Sequence, residues 1–163
     1  MAEACHLWLK ANGIDIQGDS TIMSMGRENT IECLKFEHTV HTLRETGAGM
    51  ATGKRVHSPI TITKRYDRSS PLLYKALANN EKIDATIKFY RPNPAGDGTT
   101  EHFFTIELKN GRISSIKSLL PYVLDPNTSS APNLEEVSFV YATIIWTYVP
   151  TGAMHIDDWT QSA

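Results

Sequence analysis

His57, Asp67, Ser69 and Ser70 are the residue types of a hydrolytic triad. In such a triad a carboxylate orients a histidine, which takes the proton of a serine hydroxyl. The local sequence argues against it. Neither serine sits in a GxSxG elbow. Ser70 also precedes Pro71, and that pair reads better as a helix start. The serine hydroxyl would cap a free backbone N–H, and proline suits the first helical position. A second arrangement is "EHTVH" at residues 37–41. Metal-binding zincins need HExxH on a helix, and this segment reads as strand, where positions 38 and 41 face opposite ways. A third is "TGAGMATGKR" at residues 46–55. A phosphate-cradling loop needs glycine five positions before Gly53, where Ala48 stands, and Arg55 replaces the hydroxyl that would hold Mg²⁺. No cofactor or metal is implied. The glycine-rich stretch is expected to be a long, mobile, functional loop. The cation groups Lys54–Arg55 and Lys64–Arg65–Arg68 read as a solvated strand edge, a salt-bridged subunit contact or an anion site.

The chain has 163 residues and a net charge of -2. That length favours one domain, in which roughly 70% of the unfolded surface can be buried. The charge gives no cation surplus for binding nucleic acid. Cys5 and Cys33 make no CxxC pair. Two free thiols are expected, as in a reducing cytosol, or one disulfide if the protein ends up outside the cell. The start, "MAEACHLWLK", carries Glu3 where a signal peptide wants positive charge. Synthesis in the cytosol and export without a cleaved signal are therefore expected. No stretch approaches the about 20 apolar residues of a spanning helix, so membrane insertion is not expected.

The elements that must position these residues are mostly strands. Ile60 and Ile62 alternate with Thr61 and Thr63, Ile83, Ala85, Ile87 and Phe89 alternate with polar residues, and Phe104, Ile106 and Leu108 do the same. Period two puts one set in a core and the other in water. Residues 92–100 read as a hairpin loop, Asn110–Gly111 as a tight hairpin turn, and residues 125–133 as a longer loop. Residues 134–149 read as one last strand, apolar on both faces towards Trp146 and Tyr148. Such a strand needs a cover on its second face, from this chain or from a neighbour. Only residues 70–79 break the alternation, with Leu73 and Leu77 as a helical stripe ended by Asn79 and Asn80. The expectation is about eight strands and one short helix.

Several motifs in the same order along the chain resemble one family. They are "LWLK", "TGKRVHSPITITKRYDRSSPLLYKAL" at residues 52–77, "IKFYR", and "IIWTYVPTGAMHIDDW" at residues 144–159 with its Trp-Thr-Tyr and His-x-Asp-x-Trp pattern. From Leu7 to Trp159 the chain resembles the haemolysin-coregulated protein (Hcp) family, the inner-tube proteins of type VI secretion systems. The resemblance implies a mainly β fold over residues 1–163: two packed sheets forming a β-barrel, with one short helix at the side. It implies a homohexameric ring that stacks into a tube inside a contractile sheath and is expelled with a spike protein. Its pore carries small effector proteins, and it has no enzymatic activity of its own. The glycine-rich loop lies where the family has a protruding loop. Thr46, Gly47, Gly49, Met50, Gly53, Lys54 and Arg55 are therefore candidates for contacts between rings or subunits. Lys64, Arg65, Asp67, Arg68, Trp146 and Tyr148 are candidates for the subunit interface. The residues alone also leave open a secreted hydrolytic effector and a small-ligand-binding β-barrel.

Overall fold

The structure, a computed structural model, describes residues 3–44, 46–47 and 49–159. Alternation along β1 (Cys5–Ala11) puts Cys5, Leu7, Leu9 and Ala11 on one buried face. β1 pairs antiparallel with β3 (Ile31–Glu37) on one side and β7 (Ile83–Pro92) on the other, while β2 (Ile14–Ile16) folds back onto its end. β3 pairs with β6 (Ile60–Arg65), β6 with β9 (Leu134–Val140), and β7 with β8 (Thr100–Leu119). The second half of β8 then pairs with β9, from Arg112↔Val140 to Leu119↔Leu134. That last ladder closes six strands into a circuit. β10 (Thr143–Tyr148) and β11 (Ala153–Asp158) extend the same sheet from the first half of β8. The fold is mainly β with one α-helix at the side, as expected, and the main sheet closes on itself.

Side chains fill the circuit. Leu7, Ile31, Ile60, Ile62, Ile87, Leu108 and Phe139 are at most 1% exposed. Each such burial contributes roughly 1.5–3 kcal/mol, which is where the fold gets its stability. A small-ligand barrel needs a closed apolar cavity in this space, so that reading is dropped.

The helix α1 (Ser70–Ala78) buries Leu73 and Ala76 and packs on β8. It ends as the sequence predicts. Asn80 takes a left-handed conformation, and the N–H groups of Asn80 and Glu81 reach back to the carbonyls of Leu77 and Ala76. Its start differs. Ser69, not Ser70, holds the cap position, and Asp67 makes a tight turn onto it: its carboxylate accepts the Ser69 N–H at 2.9 Å and the Ser69 hydroxyl. The Ser70 hydroxyl accepts the Asp67 N–H at 3.1 Å and also joins a buried ion network.

Three further expectations are corrected. The described residues form eleven strands, not about eight. Residues 134–149 are two strands, β9 and β10, because the chain breaks at Tyr141–Ala142 to pass from one ladder to another. Asn110–Gly111 is no hairpin turn but a corner inside the 20-residue β8. Asn110 takes the positive φ (53°) that its type tolerates. At Gly111 a Cβ atom would lie 2.7 Å from the Val140 carbonyl oxygen and 3.3 Å from that of Ile83. Three strands meet at this point, and only glycine lets them. Gly111→Ala is expected to lower stability by about 2 kcal/mol, because backbone atoms must move apart. The check is a lower urea midpoint at unchanged slope; an unchanged midpoint would show that the corner relaxes freely.

Candidate functional site: an arm locked at its root

Residues 46–55 are not simply a loop. β4 (Val40–Arg44) and β5 (Ala51–His57) form a two-stranded sheet of their own, in register from Val40↔His57 to Arg44↔Ala51. Half of the expected loop is therefore strand. The tip holds Thr46, Gly47, Gly49 and Met50, all exposed, while Glu45 and Ala48 lie outside the described residues. Gly47 (φ 97°) and Gly49 (φ 70°) need a conformation that glycine adopts freely. Arg44 donates to the Gly49 carbonyl at 3.2 Å and braces the tip. Gly53, also exposed, lets Leu43 of the facing strand approach to 3.3 Å of where a Cβ would sit. Lys54 beside it is exposed. Val40, Leu43, Met50 and Val56 leave apolar surface on this arm 39–66% exposed.

The root of the arm is bound firmly. Arg55 forms two parallel bonds, 2.7 and 2.6 Å, to the Asp157 carboxylate on β11, and a third to the Asp158 carbonyl. His57, 7% exposed, lies 2.8 Å from the same carboxylate through Nε2 and 2.7 Å from the Tyr141 hydroxyl through Nδ1. His38, in the turn between β3 and β4, reaches that hydroxyl at 2.6 Å. Neutral imidazoles fit one proton arrangement. His57 Nε2–H donates to Asp157, so its Nδ1 accepts from the Tyr141 O–H, whose oxygen accepts from His38 Nε2–H. Arg55 beside Asp157 holds that carboxyl below its usual range. Burial, with the Asp157 charge adding, pushes the Tyr141 phenol up, and burial also draws His38 down. Trp146 on β10 stacks near His38, His57 and His155, and Trp159 stacks on His57 while donating to the Tyr141 carbonyl. The Trp146 face of β10, which Ile144 shares, is thus covered in part by His38 and His57 at the root of the arm.

The geometry therefore dissolves the triad. His57 is oriented by Asp157, not Asp67, and its other nitrogen meets a phenol. Ser69 and Ser70 belong to the Asp67–Lys64–Glu135 network instead. His38 turns inward while His41 is exposed, so "EHTVH" does not converge on a metal. The second cation group separates too. Lys64 is 0% exposed and pairs with Glu135 at 2.7 Å and Asp67 at 3.1 Å, so it is not a surface contact. Asp67 is half-buried, whereas Arg65 and Arg68 are exposed near Glu32 and Asp19. Tyr148 is half-buried beside Arg91 at the far end of β10. Asp157, Tyr141 and Trp159 were not singled out as site residues from sequence, although the His-x-Asp-x-Trp motif contains two of them.

Asp157→Ala is expected to release the arm, because Arg55 and His57 lose their common acceptor. Amide exchange of residues 40–57 should accelerate about tenfold or more, with the circuit strands little changed. Equal exchange in variant and wild type would show that the root is held by stacking alone.

Residues 8–148 match the family model described as "Type VI secretion system effector, Hcp". The "Major exported protein" of Pseudomonas aeruginosa is 38% identical over 135 residues, which cover 82% of this chain and 77% of that protein. The Hcp1 protein of the E. coli EAEC 042 pathovar, solved as a double mutant, superposes with a TM-score of 0.81 at 30% identity, covering 96% of this chain and 98% of that one. The secreted protein Hcp3 of Pseudomonas aeruginosa gives 0.74 at 26% identity, over 99% and 100% of the two chains.

Proposed function

This chain belongs to the Hcp family of type VI secretion system proteins, and we propose that it is an exported tube subunit without catalysis of its own. Six copies close into a ring, and rings stack into a tube that a contractile sheath expels behind a spike protein. Small effector proteins ride in the pore. The protein is made in the cytosol and leaves it with the tube. The arm carries this reading: a glycine-tipped hairpin with exposed apolar side chains, fixed at its root to a filled and closed sheet. A stacking subunit needs an element that projects and keeps its direction. The tip residues Thr46, Gly47, Gly49 and Met50, with Gly53 and Lys54 behind them, meet the neighbouring ring or subunit, while Arg55 fixes the root of the arm within its own chain. Arg65, Arg68 and Tyr148 lie towards the subunit interface, whereas Trp146 is taken up by His38, His57 and His155 of its own chain. No helix among the described residues is long and apolar enough to cross a membrane.

Negative-stain images of the purified protein are expected to show rings with a central hole. Deleting residues 46–50 should leave the circuit folded and the rings intact but weaken their stacking, seen as loss of the larger species in sedimentation. Monomers at every concentration overturn the reading, and undiminished stacking after the deletion removes the tip as the contact.

A further inference from the structure

We propose that Cys5 and Cys33 close an intrachain, cross-strand disulfide when the folded protein meets a disulfide oxidant. The two residues face each other directly in the β1–β3 ladder. Directly opposed residues of an antiparallel pair share a face, with Cα atoms about 4.5 or 5.5 Å apart depending on the ladder position. Both spacings fall inside the about 4.4–6.8 Å that a disulfide spans. The Cys5 sulfur already leans across the ladder, 3.9 Å from the Cys33 carbonyl oxygen. The bond therefore needs side-chain rotation and no shift of register.

Both thiols are free and buried, 5% and 1% exposed. They nevertheless border an open groove of about 450 Å³ together with Glu3, Leu34, Phe36 and Phe89. Cys5 is also the first residue of its strand, so fraying of a single ladder position uncovers its sulfur. The two thiols differ in character. The hydrogen bond with Cys33 holds the Cys5 thiol below its ordinary pKa, while that bond and burial hold Cys33 above it, opposed by Lys64 across the next ladder. Cys5 is thus the attacking thiolate and Cys33 the resolving thiol.

The oxidant is a small disulfide, RSSR, of the glutathione class. Cys5 thiolate attacks one sulfur of RSSR, giving a Cys5–SR mixed disulfide and releasing RS⁻. Cys33 gives its proton to the departing RS⁻ and its sulfur attacks Sγ of Cys5, expelling the second RS⁻, which takes a proton from solvent. In sum, two protein thiols are oxidised to one disulfide and RSSR is reduced to two RSH. If the chain is carried from a reducing cytosol to oxidising surroundings, the bond forms after export. The proposal rests on the ladder alone, so it and the tube reading can fail separately.

The test uses the purified full chain, equilibrated over a series of oxidised-to-reduced glutathione ratios, then acid-quenched and alkylated. Both thiols should disappear together, the intact mass should fall by two hydrogens, and a linked Cys5–Cys33 peptide should be recovered from a monomeric band on a non-reducing denaturing gel. The oxidised form should unfold roughly 5–10 °C higher than the reduced form. Cys33→Ser should stop at a glutathione adduct on Cys5. Two thiols still alkylatable at the most oxidising ratio, glutathione adducts as the end product of the unmodified chain, or links only between chains would each overturn the proposal.

Discussion

Lys64→Met is expected to destabilise the protein by about 3–5 kcal/mol, the usual result of removing one partner from a buried ion pair. The Lys64 ammonium lies within 2.7 Å of Glu135, 3.1 Å of Asp67 and 3.2 Å of the Ser70 hydroxyl. The side chains of Lys64 and Glu135 are 0% and 2% exposed, and that of Asp67 is 11% exposed. Without the cation, two carboxylates face each other where water has little access. The Ser70 hydroxyl also loses one of its partners there, at the point where α1 begins. Urea unfolding at neutral pH measures the effect. Lys64→Met with Glu135→Leu is expected to recover most of it, since an apolar pair of similar volume needs no counter-charge. A single variant within about 1 kcal/mol of wild type would show that solvent enters the network.

That network shows how far the sequence could be read. Alternation through Ile60 and Ile62 continues to Lys64, and alternation through Phe139 and Val137 continues back to Glu135. Parity agrees with both charges lying inside, and the β6–β9 register sets them directly opposite each other. The general rule that charges are exposed pointed the other way, and it is a rule about averages. The same local logic found the strands around β7 and the helix end at Asn80, where each signal is complete within a few residues. It failed where the deciding contact is distant in sequence. His57 and Asp157 are 100 positions apart, so the histidine's partner could not be picked from the nearer Asp67. Asn110–Gly111 supplies a positive φ wherever it occurs, and whether that makes a hairpin or a corner depends on Val140 and Ile83 across the sheet. The break between β9 and β10 leaves no mark in hydropathy, because Tyr141 stays apolar in type while its hydroxyl is needed at the root of the arm.

Acidification from pH 7 towards 4 is expected to remove stability through His6, by up to about 3 kcal/mol. His6 is wholly buried under the segment that joins β2 to β3. The Thr30 hydroxyl donates to the Arg27 carbonyl at 2.7 Å, so its oxygen can only accept from His6 Nδ1, 2.8 Å away. The proton therefore sits on Nδ1, and Nε2 keeps a bare lone pair with no partner. Protonating Nε2 would bury an N–H with no acceptor, near an Arg27 guanidinium stacked 4.4 Å over the Tyr90 ring. Burial first, and Arg27 second, draw the His6 pKa down from 6.5 to about 4. The unfolded chain thus takes up the proton at higher pH than the folded one, and stability falls as pH drops from about 6.5 to about 4. His38 and His102 are shifted the same way and add to the slope, whereas Asp157, held below its usual range, acts only at lower pH. His6→Phe keeps a ring against Tyr90 and removes the titration, so its stability should vary with pH by close to one proton less over this interval. Parallel profiles for variant and wild type would mean that His6 is not the acid-sensitive group. Amide exchange should then rise first in residues 18–30 on acidification, because Thr30 and Arg27 are what His6 holds against β1, while the closed circuit beneath keeps its ladders.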